Sequence, residues 1–377
     1  MWNVQLFKLN FDSRERDAVT AVIDSGWLTM GERTSGFESS FSSFLGSGAH
    51  SIAVSNCTAA LHMALLALDI GPGDHVVVPA LTFVAGANSV KLAGATPVLA
   101  DCSSADDWNM SAATIESAIT SNTKAVMVVH YAGYPCDMPA IVKLCRDRRI
   151  KLIEDVAHAP GASVGGRSCG TWGDAGCFSF FSNKNLSIGE GGMVTCSDPH
   201  LEQRLRHLRS HGMTTLTLDR HKGRATTYDV ATPGLNYRMD EMRAAIGMVQ
   251  LDKLEAGNLR RKALTDRYRA NLEGTTIRIP FATMKEDSVS AYHILPTLLP
   301  AHCDRQRVID ALRSRGIQSS IHYPAFWNFT AYSGAFTPQD APLAADICAR
   351  ELTLPLYPTM TDEEVDLVTT SLVECVR

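Results

Sequence analysis

No part of the sequence has the pattern of a membrane-crossing or exported segment. No stretch approaches the roughly 18 consecutive apolar residues of a membrane-spanning helix. The first residues also lack the basic start and apolar run of a secretory signal. Among the ten cysteines there is no CxxC pair and no Cys/His cluster with zinc-ligand spacing. We therefore expect a soluble, reduced, cytoplasmic protein without a metal site, in which the cysteines are mostly small buried apolar residues.

A strong charge of either sign is also missing, as are internal repeats and low-complexity tracts. The 35 basic and 40 acidic residues leave a formal net charge of -5. This balance gives no general attraction to nucleic acid or to an anionic membrane, so we expect neither as a partner. The sequence is 45% hydrophobic, which allows a large buried core. Its 377 residues are too many for one ordinary domain.

Short apolar runs rich in β-branched residues alternate with helix-length segments in the first half of the chain. We predict strands at residues 51–55, 75–79, 96–100, 125–130, 151–154, 176–181 and 193–196. We predict helices at residues 58–68, 139–149 and 238–254, the last from apolar residues at spacings of three and four. Apolar strands that alternate with helices predict an α/β fold with a mostly parallel sheet covered on both faces.

A different section begins after residue 255. It contains a predicted strand at 292–295, a predicted helix at 305–315 and a terminal helix that Thr361 opens in the pattern of a capping box. We predict a large domain over residues 1–255 and a smaller C-terminal α+β domain over residues 256–377.

Lys184 lies in the segment CFSFFSNKNLSIGEGGM, directly after a predicted strand and before a glycine-rich turn. A lysine becomes a Schiff-base nucleophile only when burial or neighbouring cations make its ammonium group easier to deprotonate. A single lysine has little specificity, and an exposed surface lysine is the ordinary alternative.

Asp155, in the segment IEDVAHA, ends an apolar strand upstream of Lys184. Ligands of open α/β sheets bind at the carboxyl ends of the strands. A carboxylate in that position suits pyridoxal phosphate (PLP), because it keeps the pyridine nitrogen protonated and lets the ring act as an electron sink. The alternative is a helix N-cap, for which Asp is favoured.

Two more segments supply groups that a PLP site needs. In SNCTAALH a helix starts near Thr58, and the Thr58 hydroxyl and the Ala59 N–H suit a phosphate at the positive end of that helix. Simple helix capping is the alternative. In PALTFV, Phe83 follows a strand end and can stack on an aromatic ring, or it is a core phenylalanine.

Taken together, these segments resemble the DegT/DnrJ/EryC1/StrS family of PLP-dependent sugar aminotransferases, which have fold type I. The resemblance extends nearly from end to end in the family's order and spacing, apart from Glu32, where proline is common. It is carried by SGWLTMGERTSGFE, SNCTAALHMALLALDIGPGDHVVVPALTFVA, EDVAHAPGA, CFSFFSNKNLSIGEGGMV, GLNYRMDEMRAAIGMVQL, GIQSSIHYP and LTLPLYPTMTDEEVD.

The resemblance implies four contacts to the cofactor ring. Lys184 matches the lysine that carries PLP as a Schiff base, and Asp155 matches the carboxylate at the pyridine nitrogen. His158 matches the position that contacts the ring hydroxyl, and Phe83 matches the aromatic side chain that stacks on the ring.

The resemblance also implies a phosphate site built by two subunits. Thr58, Ala59 and Ser179 match phosphate-binding positions. Asn236 matches an asparagine that reaches the phosphate from the neighbouring subunit. The active site would then require a homodimer.

The amino donor, by resemblance, is glutamate or glutamine, which leaves pyridoxamine phosphate (PMP) for a keto-sugar acceptor. Four basic residues of one loop suit the diphosphate of a nucleotide-linked keto-deoxysugar, or they are simply solvated: Arg220, His221, Lys222 and Arg224. His322 and Tyr323, in IHYP, resemble a family segment near the acceptor pocket. Loop packing is the alternative for His322.

Three alternatives remain. One is an aminotransferase of a free keto-sugar or keto-cyclitol, and another is a PLP dehydratase of the same family. The dehydratases carry histidine at the lysine position, so Lys184 argues against that activity. The third is a non-catalytic regulatory or binding protein on this fold, against which Lys184, Asp155 and the phosphate-binding residues argue together.

Overall fold

The computed structural model describes residues 2–46, 48–215, 223 and 226–376. Its centre is a seven-stranded sheet that consists of β1 (His50–Val54), β2 (His75–Pro79), β3 (Thr96–Ala100), β4 (Thr123–Val129), β5 (Lys151–Asp155), β8 (Ala175–Ser179) and β9 (Gly192–Cys196). These strands lie side by side in the order β1-β9-β8-β5-β4-β2-β3. A small sheet joins β6 (Ser163–Val164), β7 (Arg167–Ser168) and β10 (Ser288–Val289).

The central sheet is mixed and mostly parallel. Strands β8, β5, β4, β2 and β3 are parallel neighbours, whereas β9 pairs antiparallel with both β8 and β1. Six strands therefore point in one direction and only β9 runs against them. The predicted sheet is confirmed, and the predicted strand bounds agree with the structure within two residues.

Both faces of the sheet are covered by apolar side chains, because alternate residues of each strand point to opposite faces. Ile52, Val76 and Met127 belong to one buried cluster, while Ala53 and Val128 belong to two others. The helices of the first part of the chain are α1 (Ser13–Ser25), α2 (Glu32–Leu45), α3 (Cys57–Ala67), α4 (Ala85–Leu92), α5 (Ala112–Ala118), α6 (Met138–Arg148) and α7 (Pro199–Arg209).

The C-terminal section has its own apolar core around a two-stranded antiparallel sheet. Its strands are β11 (Leu295–Leu298) and β12 (Glu351–Leu354), and its helices are α9 (Arg305–Ser314), α10 (Pro342–Arg350) and α11 (Asp362–Val376). Thr361 and Glu364 exchange two hydrogen bonds at the start of α11, of 2.9 and 3.1 Å, so the predicted capping box is confirmed.

One long helix, α8 (Glu241–Leu272), crosses residue 255, where we placed the domain boundary. Its second half packs in the C-terminal core through Leu264, Tyr268 and Leu272. The division at residue 255 therefore stays a prediction. No helix in the described ranges is long and apolar enough to span a membrane.

The strand predicted at 292–295 is wrong by three residues, because the structure has β11 at Leu295–Leu298. Tyr292 has a φ of 48°, which no strand tolerates. The His293 N–H donates to the carbonyl of Ala132, next to the central sheet, at 2.8 Å. Residues 292–294 therefore stay outside the two-stranded sheet of β11 and β12 and contact the turn that follows β4 instead.

Candidate active site

A cavity of about 630 Å³ opens at the carboxyl edge of the central sheet. Its wall comes from segments that directly follow β1, β2, β5 and β8, together with the IHYP loop. The parallel strands bring their ends to one edge, so residues far apart in the chain meet there. The predicted site residues that line it are Thr58, Ala59, Phe83, Asp155, His158, Ser179, Lys184, His322 and Tyr323.

Asp155 is the last residue of β5 and is 7% exposed. Its Oδ1 accepts the Ala157 N–H at 2.9 Å, and its Oδ2 makes no hydrogen bond within the described ranges. Turns and the short strands β6 and β7 follow, so the helix N-cap alternative is wrong. Burial raises the pKa of Asp155, although the Ala157 N–H, Lys184 and His130 act in the opposite direction.

Lys184 is half-buried in the loop after β8, and its Nζ lies 3.4 Å from Nε2 of His293. Burial lowers the pKa of Lys184 to about 8, against the opposing effects of Asp155 and Cys57. At pH 7 about a tenth of this amine is then neutral, far more than in a solvated lysine. The surroundings of Lys184 therefore favour a nucleophilic amine.

The end of the cavity that we predicted to bind phosphate is formed by the start of α3. The helix begins at Cys57, and Asn56 caps it by accepting the Ala59 N–H on Oδ1 at 2.8 Å. A ligand would have to share that N–H with Asn56. The N–H groups of Cys57 and Thr58 have no acceptor within the helix, as at any helix start. Ser179, the last residue of β8, adds a hydroxyl.

His158 and Tyr323 form a hydrogen-bonded pair in the cavity wall, 2.8 Å from Nε2 to the hydroxyl. His158 Nδ1 accepts the Ala132 N–H at 3.2 Å, so the neutral ring carries its hydrogen on Nε2 and donates it to Tyr323. Burial lowers the pKa of His158 well below its usual range, and Lys184 and His322 lower it further. The Tyr323 O–H is left to donate to a ligand.

Phe83 is 56% exposed and lines the cavity. The alternative of a core phenylalanine is therefore wrong. Its ring centroid lies 5.5 Å from that of Tyr323. The cavity consequently has an aromatic side chain available to cover a planar ligand, as predicted for Phe83.

Asn236 does not line this cavity. It is exposed, and its Oδ1 accepts the Arg238 Nε–H at 2.9 Å. Its neighbour Tyr237 does line the cavity. Arg220, His221, Lys222 and Arg224 lie outside the described residues.

His293 is the neighbour of Lys184 that the sequence did not indicate. It lies 109 residues away along the chain, and no spacing pattern connects the two. Glu351 was also missed: it is fully buried and accepts the His322 N–H at 2.8 Å. Both residues reach the site from the C-terminal section.

The model of the DegT/DnrJ/EryC1/StrS aminotransferase family matches residues 10–373. The chain belongs to this family. The aminotransferase is 37% identical over 371 residues to the spore coat polysaccharide biosynthesis protein SpsC of Bacillus subtilis (strain 168), covering 96% of the chain and 93% of SpsC.

Solved structures agree with this placement. Spr1654 of Streptococcus pneumoniae in its PMP form superposes with a TM-score of 0.93 at 30% identity, covering 99% of both chains. PseC of Helicobacter pylori, an aminotransferase involved in the biosynthesis of pseudoaminic acid, gives a TM-score of 0.89 at 26% identity, covering 100% of the chain and 99% of PseC. The protein is a PLP-dependent sugar aminotransferase, and the predicted family, fold class and cofactor are confirmed.

The described residues fit PLP. Asp155 offers a buried carboxylate with one oxygen unbonded, Lys184 offers an amine of lowered pKa, and both line one cavity. Asn183 Oδ1, also in this wall, is buried without a hydrogen-bond partner within the described ranges. A polar ligand in the cavity would satisfy such an acceptor.

Proposed function

We propose that this aminotransferase moves the amino group of glutamate or glutamine to a nucleotide-linked keto-deoxysugar, with PLP held on Lys184. The observation that carries the proposal is the meeting of Lys184 and Asp155 in one cavity at the carboxyl edge of the sheet. The printed name of SpsC, a polysaccharide biosynthesis protein, supports a sugar acceptor.

Each side chain has a separate task in this proposal. When bound, PLP supplies an electron sink for the pair left behind as the donor loses its α-proton. Lys184 takes that proton and returns it, which requires the neutral amine that burial favours. The unbonded oxygen of Asp155 would keep the pyridine nitrogen protonated, and Phe83 would cover one face of the ring.

The phosphate and the acceptor require donors of hydrogen bonds. Thr58, Ser179 and the start of α3 bind the phosphate. The Tyr323 hydroxyl, whose oxygen receives the His158 hydrogen, donates to the ring hydroxyl or to the substrate. His158 would thus act at the ring hydroxyl through Tyr323, because both of its ring nitrogens are already hydrogen-bonded.

Charge supports a site completed by a second subunit. Of the described residues that line the cavity, Lys184 is the only lysine or arginine. A phosphate, a donor carboxylate and a sugar diphosphate together carry several negative charges, which one amine cannot balance. We propose that Asn236 of the partner subunit, together with Arg220, Lys222 and Arg224, supplies the missing contacts.

The proposal is tested with purified, PLP-loaded enzyme. Glutamate or glutamine is added first, then a panel of nucleotide-linked and free keto-sugars, and amino-sugar product is measured by mass spectrometry. We expect product from nucleotide-linked keto-deoxysugars and none with Lys184→Ala. If only free keto-sugars or keto-cyclitols gave product, the acceptor would be one of these and not a nucleotide-linked keto-deoxysugar.

Borohydride reduction provides a direct test of the lysine. It should fix the cofactor on the peptide that contains Lys184 in the wild-type enzyme. A label on any other lysine would overturn the assignment of Lys184, whatever the sugar.

A further inference from the structure

His293 connects Lys184 to a chain of hydrogen bonds that continues through Asn185 and Asn258. Its Nδ1 lies 2.8 Å from Oδ1 of Asn185, the residue after Lys184. Asn185 Nδ2 in turn donates to Oδ1 of Asn258 and to the carbonyl of Ala291, both at 2.7 Å. The chain therefore connects α8 and the segment before β11 to the lysine loop.

The direction of every bond in this chain is determined. Asn258 Nδ2 donates to the carbonyl of Pro160 at 2.9 Å, and a carbonyl can only accept. The Ala291 carbonyl can likewise only accept, so the Asn185 atom that faces it must be the amide nitrogen. Asn185 Oδ1 must then face His293, so the hydrogen of the neutral imidazole sits on Nδ1. Nε2 is left as a lone-pair acceptor facing Lys184.

The surroundings keep His293 neutral. The side chain is 3% exposed, and burial lowers its pKa well below its usual range, with further lowering by Lys184, His158, Arg261 and His322. The other titratable groups that act on Lys184 are Asp155 and Cys57.

We propose that His293 is a positioning residue whose neutral Nε2 accepts a hydrogen bond from the Lys184 amine and holds it in the cavity whenever that amine is not bonded to the cofactor. The proposal rests on the proposed function of Lys184. The amine gains a proton from the substrate and gives it back, and in both states it keeps an N–H to donate to Nε2. No proton passes to His293.

Removal of the acceptor tests the proposal. His293→Phe keeps a buried ring but offers no lone pair, so the ammonium form of Lys184 loses a stabilising bond. We expect the pKa of Lys184 to fall by about one pH unit. Asn185→Leu frees the imidazole to place its hydrogen on Nε2, so we expect the pKa of Lys184 to fall by less than in His293→Phe. The double variant, His293→Phe with Asn185→Leu, should show the same Lys184 pKa as His293→Phe alone.

The measurement is made on enzyme stripped of cofactor, without substrate. A trace of an amine-acylating reagent is applied over a range of pH, and labelling of the Lys184 peptide is followed by mass spectrometry. Ser187→Ala is the control, because it removes a 3.0 Å bond to the Ser182 carbonyl in the same loop but none of the chain. Circular dichroism and thermal melting confirm that each variant is folded.

An unchanged Lys184 pKa in a folded His293→Phe variant overturns the proposal, as does an equal fall in Ser187→Ala. Should His293→Phe fail to fold, Asn185→Leu decides alone: a fall supports the proposal and an unchanged value overturns it. These results do not depend on amino transfer. A failure of the proposed function appears separately, as borohydride labelling of another lysine.

Discussion

Burial governs the ionisation of single residues around the cavity. It lowers the pKa of Lys184 to about 8 and raises that of Asp155. Glu351 has its pKa raised by burial to about 7, although Thr353, the His322 N–H and Arg305 act against this. In each case burial shifts the pKa toward the neutral form because a charge loses its hydration, and for Asp155 the Ala157 N–H, Lys184 and His130 oppose that shift.

The Asp155 carboxylate should matter through its charge more than through its hydrogen bonds. Asp155→Asn keeps an acceptor for the Ala157 N–H but cannot hold a proton on the pyridine nitrogen. We expect PLP to stay bound and the rate of amino transfer to fall on the order of 100-fold. Single-turnover reaction with the donor measures this loss, with the exposed Asp147→Asn as the control. An unimpaired rate would leave Asp155 with a structural role only.

Glu351 should give the protein a pH-dependent stability. Its pKa rises from 4.5 to about 7 on folding, so the folded state holds the proton more tightly. The stabilising effect is complete below pH 4.5 and is lost as pH rises toward 7. Between pH 5 and 8 this amounts to roughly 2–3 kcal/mol in the free energy of unfolding.

Glu351→Gln should remove that dependence. Urea unfolding at pH 5 and pH 8 should show wild type losing stability relative to the variant as pH rises. The exposed Glu273→Gln serves as the control and should follow the wild type at both pH values. A constant difference between wild type and Glu351→Gln would mean that Glu351 does not titrate in this range.

Among the secondary-structure elements, the contact between β9 and the start of α3 positions the proposed phosphate site. A Cβ at Gly192 would lie 2.5 Å from the carbonyl carbon of Asn56 and 2.8 Å from the amide nitrogen of Cys57. Both are backbone atoms and cannot rotate away. Gly192 therefore allows the helix start to approach the sheet.

We expect Gly192→Ala to push the start of α3 away from β9. Stability should fall by about 1–3 kcal/mol, as for other overpacked sites, and PLP should bind more weakly. Urea unfolding and PLP titration measure the two effects. Gly257→Ala is the control, since its nearest atom would be Pro358 Cβ at 3.9 Å and alanine suits the helix. Native PLP affinity in Gly192→Ala would show that this contact does not shape the site.

At the scale of the whole molecule, the proposed homodimer predicts complementation between two inactive variants. Lys184→Ala removes the amine, and Asn236→Asp places a carboxylate against the phosphate of the partner's site. In a hybrid dimer one site carries both changes and the other carries neither, so about half the hybrids' sites should be active. Activity is assayed after subunit exchange, with each variant alone as the control. If no activity returned although hybrid dimers had formed, Asn236 would have a structural role within its own subunit and would not contribute to the partner's site.

Local patterns in the sequence were sufficient for the strands of the central sheet, for α3 and for α11. Strand ends and helix starts depend on neighbouring residues, and the carboxyl edge of a parallel sheet is where such ends collect. Asp155, Lys184, Thr58 and Phe83 follow such ends, but their assignment to one site depended on the resemblance to the family, because each residue alone had an ordinary structural alternative. The capping box at Thr361 was readable for the same reason, because both partners lie within one turn.

Only the tertiary structure placed His293 and Glu351 at the site. His293 meets Lys184, 109 residues away, where the C-terminal section packs against the central sheet. Glu351 meets His322, 29 residues away, through the folding of the C-terminal section itself. The pKa shifts likewise follow from burial, which no short segment determines. Tertiary packing also determined the bounds of β11 and the unbroken course of α8, because packing partners from distant segments outweigh local preference.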